Sequence, residues 1–85
     1  MYSIEYGKKA QNFIESQSKK TALRIIEKID ALATAPYADH NNVKKLKGRD
    51  GYRLRIGNIR VIYDVIDDQL LISVIDAGFR GSVYS

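Results

Sequence analysis

The chain has 85 residues, 45% of them hydrophobic, and a net charge of +4 at neutral pH. That is the size of one small domain, residues 1–85, with enough apolar content for a single core. There is no cysteine, which excludes disulfides, thiolate metal sites and cysteine nucleophiles, and no apolar run approaches the ~18 residues of a membrane span.

The N-terminal "MYSIEYGKKAQNF" has no apolar stretch long enough for a signal peptide. A cytoplasmic protein with no membrane partner is therefore expected. Tyr2–Tyr6 alternates and is rich in β-formers, so it predicts a first strand, broken by Gly7. "KKAQNFIESQ" spaces Ala10, Phe13, Ile14 and Gln17 for a short helix. Ser18 is placed to cap the next one. "KKTALRIIEKIDALATA" sets Ala22, Ile25, Ile26, Ile29, Leu32 and Ala33 along one stripe with Leu23 beside it, an amphipathic helix that Pro36 should end.

Tyr37–Asp50 is polar and reads as a loop, with Val43 and Leu46 as its anchors to the core. Three strands follow, at Tyr52–Ile56, Ile59–Ile66 and Leu70–Asp76, joined by Gly57-Asn58 and by Asp67-Asp68-Gln69. The order is β-α-α-β-β-β. The expected class is α+β, a helical hairpin packed on one face of a mainly antiparallel four-stranded sheet.

The charge is not spread evenly. Residues 44–60 hold seven basic side chains (Lys44, Lys45, Lys47, Arg49, Arg53, Arg55 and Arg60) and one acid, Asp50. Residues 61–85 hold one arginine and four acids. A local basic block favours a polyanion, nucleic acid above all. The alternative is an ordinary solvated face.

Strand parity helps to choose. A two-residue Gly-Asn turn sets Ile56 opposite Ile59, Arg55 opposite Arg60, Leu54 opposite Val61, Arg53 opposite Ile62 and Tyr52 opposite Tyr63. Tyr52, Leu54, Ile56, Ile59, Val61, Tyr63 and Val65 then share the helix-facing side, and Arg53, Arg55 and Arg60 share the other. Like charges directly across a ladder are destabilising. Their presence is better explained by a preorganised anion site, to which the planar guanidinium fork is suited. On the third strand the same parity puts Leu70, Ile72 and Val74 toward the helices. Leu71, Ser73 and Ile75 then fall beside the arginines with Ile62, a partly apolar patch of the kind a partner helix could use.

"KKLKGRDGYRLRIGNIRVIYDVIDDQLLISVIDAGFRGSVY" resembles the RelE toxins of the RelE/ParE toxin–antitoxin superfamily. The shared parts are the Lys-Leu-Lys-Gly lead-in, the Tyr-Arg-Leu-Arg strand, the Gly-x-x-Arg-Val-x-Tyr strand, and the closing Gly-x-Arg and Val-Tyr. The upstream strand and helices fit too, so nearly the whole chain is covered. The resemblance implies a metal-independent, cofactor-free endoribonuclease that cuts mRNA in the ribosomal A site by attack of the 2′-hydroxyl. It also implies a cognate protein antitoxin. Arg53 and Arg55 match two basic positions of the first hairpin strand, where lysines stand in the best-known member. Arg60, Arg80 and Tyr84 match the remaining catalytic positions.

The chemistry sets its own demands. Cleavage by a 2′-hydroxyl needs a base, charge stabilisation on the phosphorane and help for the leaving 5′-oxygen. Tyr84 is the candidate base, since nearby guanidinium groups favour its phenolate. Arg80 serves the leaving group electrostatically, because arginine scarcely deprotonates. Lys44, Lys45, Lys47 and Arg49 are candidates to grip ribosomal RNA backbone, a task that needs charge rather than exact geometry. His40, the single histidine, lies in the expected loop and matches no catalytic position. Asp64 and Asp76 do not make a convincing metal pair, so no metal site is expected. Two other readings fit the fold: a ParE-type gyrase inhibitor and a non-catalytic RNA- or protein-binding module.

Overall fold

The computed structural model describes residues 1–36 and 42–80. Strand β1 (Ser3–Tyr6) leads into helices α1 (Lys8–Glu15) and α2 (Lys19–Ala31). Strands β2 (Val43–Lys45), β3 (Tyr52–Ile56), β4 (Ile59–Ile66) and β5 (Leu71–Phe79) complete one sheet of order β1-β5-β4-β3-β2. β1 runs parallel to β5 and every other pair is antiparallel. The fold is α+β, with both helices on one face.

The sheet has five strands rather than the four expected. The extra one is β2, inside the stretch read as a loop. Val-Lys-Lys is too short to show alternation, and its pairing with β3 is a matter of backbone. Two lysines on an outermost strand also deter edge-to-edge association. Val43 does pack against the core, while Leu46 is only half-buried.

Local signals account for the helices. The Ser18 side chain accepts the N–H of Thr21, capping α2 as expected. α2 stops at Ala31, short of Pro36, where the chain tightens into i→i+3 bonds: the Leu32 N–H donates to the Ile29 carbonyl and the Ala33 N–H to the Asp30 carbonyl. The Thr34 hydroxyl donates to the Ala31 carbonyl at 3.2 Å and closes that end. Ile25 and Ile29 of α2, with Leu32 directly after it, join Ala10 and Ile14 of α1 over the sheet residues Leu54, Ile56, Ile59, Val61, Tyr63, Ile72 and Val74. Ile26 and Leu23 stay out of this core, 36% and 51% exposed. At its centre Tyr63 stacks on Tyr52, centroids 5.6 Å apart, and donates its hydroxyl to the Pro36 carbonyl at 3.0 Å. Burial pushes the Tyr63 phenol up to about 12, and Tyr52 adds a smaller push in the same direction.

β3 and β4 pair in the register that the Gly57-Asn58 turn predicts, residue for residue from Tyr52↔Tyr63 to Ile56↔Ile59. Gly57 takes φ 59°, the left-handed value that such a turn demands. β5 departs from the simple pattern. Its register against β4 shifts between Ile62 and Tyr63: Tyr63 pairs with Val74 but Ile62 pairs with Asp76. Ile75 is the extra residue of a bulge. Beyond it the phase inverts, so Ala77 and Phe79 take the helix side, opposite Val61 and Ile59, and the strand runs on to Phe79 rather than ending at Asp76. Leu70 is not turned to the helices as expected. It sits in the turn at φ 48° and is 53% exposed.

Candidate anion-binding face

The face away from the helices is organised in cross-strand rows. One row runs Lys44, Arg53, Ile62, Asp76 over β2, β3, β4 and β5. The next runs Arg55, Arg60, Gly78 over β3, β4 and β5. The expected juxtaposition of Arg55 and Arg60 is therefore present. Lys44 stands directly opposite Arg53, a neighbour that a loop assignment could not foresee. The charge on this face is polarised: cations occupy the β2–β3 side, while Asp76, Asp64 and Glu5 lie toward β5 and β1 by their pairing with Ile62 and Ser73.

A groove of about 380 Å³ opens here, lined by Lys44, Lys45, Leu46, Lys47, Arg49, Arg53 and Arg60. The two groups singled out for different tasks, loop cations and strand arginines, thus share one concavity. What joins them is β2, together with the tight return after it. The Leu46 N–H donates to the Gly51 carbonyl at 3.0 Å, folding Lys47–Asp50 back over the strand. Gly51 makes that return possible. It has φ 116°, and a Cβ there would come within 3.1 Å of the Tyr63 carbonyl.

Arg53 carries the most telling atoms. Its Nε and Nη2 are buried and have no hydrogen-bond partner among the described residues. These are the two nitrogens whose N–H bonds run parallel on one side of the guanidinium, the fork that takes two oxygens of a phosphate or carboxylate. A buried polar group without a partner needs a reason, and the shape of this fork is matched to an oxyanion.

The other site residues are placed less uniformly. Arg55 is in register with Arg60 but lines a neighbouring cleft with Lys28 and Asn42 rather than the groove. Arg80 follows β5 directly, exposed, its N–H donated to the Asn58 carbonyl at 2.7 Å in the β3–β4 turn. That fixes it at the sheet end where Arg55 and Arg60 lie. Tyr84 and His40 lie outside the described residues. The expected apolar patch around the arginines is much reduced. Ile62 is only 2% exposed and Leu71 is half-buried; Ile75, thrown out by the bulge, is 39% exposed. Asp64 and Asp76 each accept the next residue's N–H, at 2.9 and 2.8 Å.

Comparison with known proteins agrees with this architecture. The family described as "ParE toxin of type II toxin-antitoxin system, parDE" matches residues 4–82. RelE in the archaeal RelE–RelB complex from Pyrococcus horikoshii is 30% identical, with 96% of this chain and 98% of that one covered and a TM-score of 0.82. The isolated Escherichia coli RelE toxin shares 24% identity over 99% of this chain and 92% of its own, TM-score 0.79. The toxin of the intact E. coli RelBE complex shares 22% over 93% and 96%, TM-score 0.78. No curated protein matches the sequence significantly. With a family match over almost its whole length, the chain belongs to the RelE/ParE superfamily of type II toxin–antitoxin toxins.

Proposed function

We propose that this toxin is a ribosome-dependent mRNA endonuclease, acting in the A site without metal or cofactor and inhibiting translation. The observation that carries the reading is the unpartnered Nε/Nη2 fork of Arg53 inside a groove whose other polar residues are all cationic. That fork is suited to two non-bridging oxygens of a phosphodiester, with Arg60 beside it, so that charge building on a phosphorane meets donors already in place. The 2′-oxygen attacks phosphorus and its proton passes to a base, for which Tyr84 is the candidate. The P–O5′ bond then breaks, leaving a 2′,3′-cyclic phosphate and a 5′-oxygen that takes its proton from water to become a hydroxyl. Arg80 and Arg55, at the same end of the sheet, offset charge on the departing oxygen. Lys44, Lys45, Lys47 and Arg49 hold RNA backbone along the rim. A cognate antitoxin silences the protein, and its partners in action are the ribosome and the mRNA it carries.

A second reading has one specific observation behind it: the matching family is described as ParE toxin. Under it, the same face contacts gyrase and cuts nothing. The groove is more readily explained by the nuclease, because its polar lining is wholly cationic and suits the repeated charge of a sugar–phosphate backbone. Primer extension on an mRNA translated in a purified system decides between them. New 3′ ends at A-site codons, formed only when ribosomes are present, are expected. Intact mRNA together with gyrase-trapped cleaved DNA would transfer the assignment to the ParE mode.

A further inference from the structure

The positive surface does not stop at the groove. Arg24 and Lys28 lie one turn apart on α2, so they project from the same side of the helix. The Nη2 of Arg24 reaches 3.9 Å from where a Cβ on Gly57 would stand, which puts its guanidinium against the β3–β4 turn. Lys28 shares a cleft of about 310 Å³ with Arg55. Arg80 is tied to the far side of the same turn through Asn58. Cations from α2, from β3 and from the residue after β5 thus ring one end of the sheet. No carboxylate pairs with Arg24 or Lys28 among the described residues, although like charges one helical turn apart repel.

We propose that Arg24 and Lys28 form a second phosphate-binding surface, which carries structured RNA from the arginine groove around the hairpin turn and onto α2. This rests on the reading of the chain as a ribosome-directed nuclease and extends it to a surface outside the reacting centre. Two features favour RNA over an acidic protein segment. The cations follow the β3–β4 turn and the cleft beside it, next to the groove, so one sugar–phosphate backbone with its repeating charge can touch both. A partner helix would need apolar anchors, but the exposed apolar side chains of α2, Leu23 and Ile26, project from other sides of that helix at 100° per residue. Ile26 lines a separate groove with Tyr6 and Ile14.

The test compares wild type with the full-length double variant Arg24→Gln/Lys28→Gln on ribosomes programmed with mRNA. The KM for ribosomes is expected to rise about tenfold, and the slope of log affinity against log salt to fall by about 1.5, as the loss of two phosphate contacts implies. Cleavage at saturating ribosomes is unchanged, since neither residue reaches the groove. The swap Arg24→Lys/Lys28→Arg keeps wild-type values because charge alone is required. An active wild type with an equally active double variant, same KM and same salt slope, would overturn the proposal and leave the nuclease reading intact. Unchanged ribosome affinity with weakened antitoxin binding would also overturn it, in favour of an acidic protein segment. If wild type cuts nothing, the nuclease reading falls. Direct ribosome binding then still decides: a smaller salt slope in the double variant supports the surface, and equal slopes reject it.

Discussion

Replacing Arg53 by Met should make this protein more stable and less active. Met keeps an unbranched apolar stem while removing the charge and the two buried donors. Two terms set the size of the gain. Arg53 faces Lys44 across the ladder, where side chains start about 5 Å apart. Two unit charges at that distance repel by about 0.8 kcal/mol in water and by about 3 kcal/mol at an effective dielectric of 20. Lys44 is exposed and can turn toward solvent, so the lower value applies. A buried donor left unpaired costs about 1–3 kcal/mol, and Arg53 as a whole is only half-buried, which again selects the lower end. The expected stabilisation is about 1–2 kcal/mol. For a chain of this length, a gain of that size raises the melting temperature by about 4–8 °C per kcal/mol.

Thermal and urea unfolding of both proteins, at low salt and again at about 1 M salt, where the screening length falls to about 3 Å, reads the two terms separately. The repulsive part of the difference vanishes at high salt and the desolvation part remains. Inorganic phosphate should stabilise wild type by binding its folded state and leave Arg53→Met unmoved. Cleavage in the translation assay should drop by about a hundredfold or more, the scale of losing one preorganised charge donor. A variant less stable than wild type at both salts, with an unchanged phosphate response, would show that Arg53 holds the fold together and would remove the anion-fork argument.

Alanine at Arg60, Arg80 or Tyr84 should relieve growth arrest without unfolding the protein, measured by colony formation alongside circular dichroism; wild-type toxicity in all three would remove the active-site assignment. Gly51→Ala should cost about 1–3 kcal/mol in urea unfolding, because alanine is strained at φ 116° and its Cβ would press on the Tyr63 carbonyl. Tyr63 gives a pH signature. Its phenol is held near 12 in the folded protein against 10.0 as the ordinary value, so the folded state keeps a proton that the unfolded chain loses. That contribution is fully present below pH 10 and is lost as pH rises through 12. Tyr63→Phe should flatten this alkaline limb while costing about 1 kcal/mol or more at neutral pH for the unpaired Pro36 carbonyl.

The hairpin was legible in the sequence because a two-residue turn leaves the ladder no freedom: once Gly57-Asn58 is the turn, Arg55 must face Arg60. The Ser18 cap was legible for the same reason, a local rule with one outcome; the α2 stripe was legible at Ile25, Ile29 and Leu32, while Ile26, expected in it, stays outside the core. Three features were not legible. β2 is defined by its partner and not by its own three residues. The bulge at Ile75 changes phase in mid-strand, and no residue type there announces it; a strand counted in twos from Leu70 misplaces everything after Val74. The Arg53 fork emerges only when Lys44, Leu46 and Arg60 close around it, which depends on β2 and on the return through Gly51. The charges were therefore readable, and their convergence was a tertiary fact.

β5 is hydrogen-bonded on both sides, to β1 through Ser3↔Leu71 and its neighbours and to β4 along most of its length. It is also translated after every other described element. The first strand accordingly has no partner in the sheet until residues 71–74 have left the ribosome, and non-local pairing of this kind is slow to form. Gly78, the residue across from Arg60, emerges later still. The cationic face is therefore completed only when the last described strand has paired with both of its neighbours.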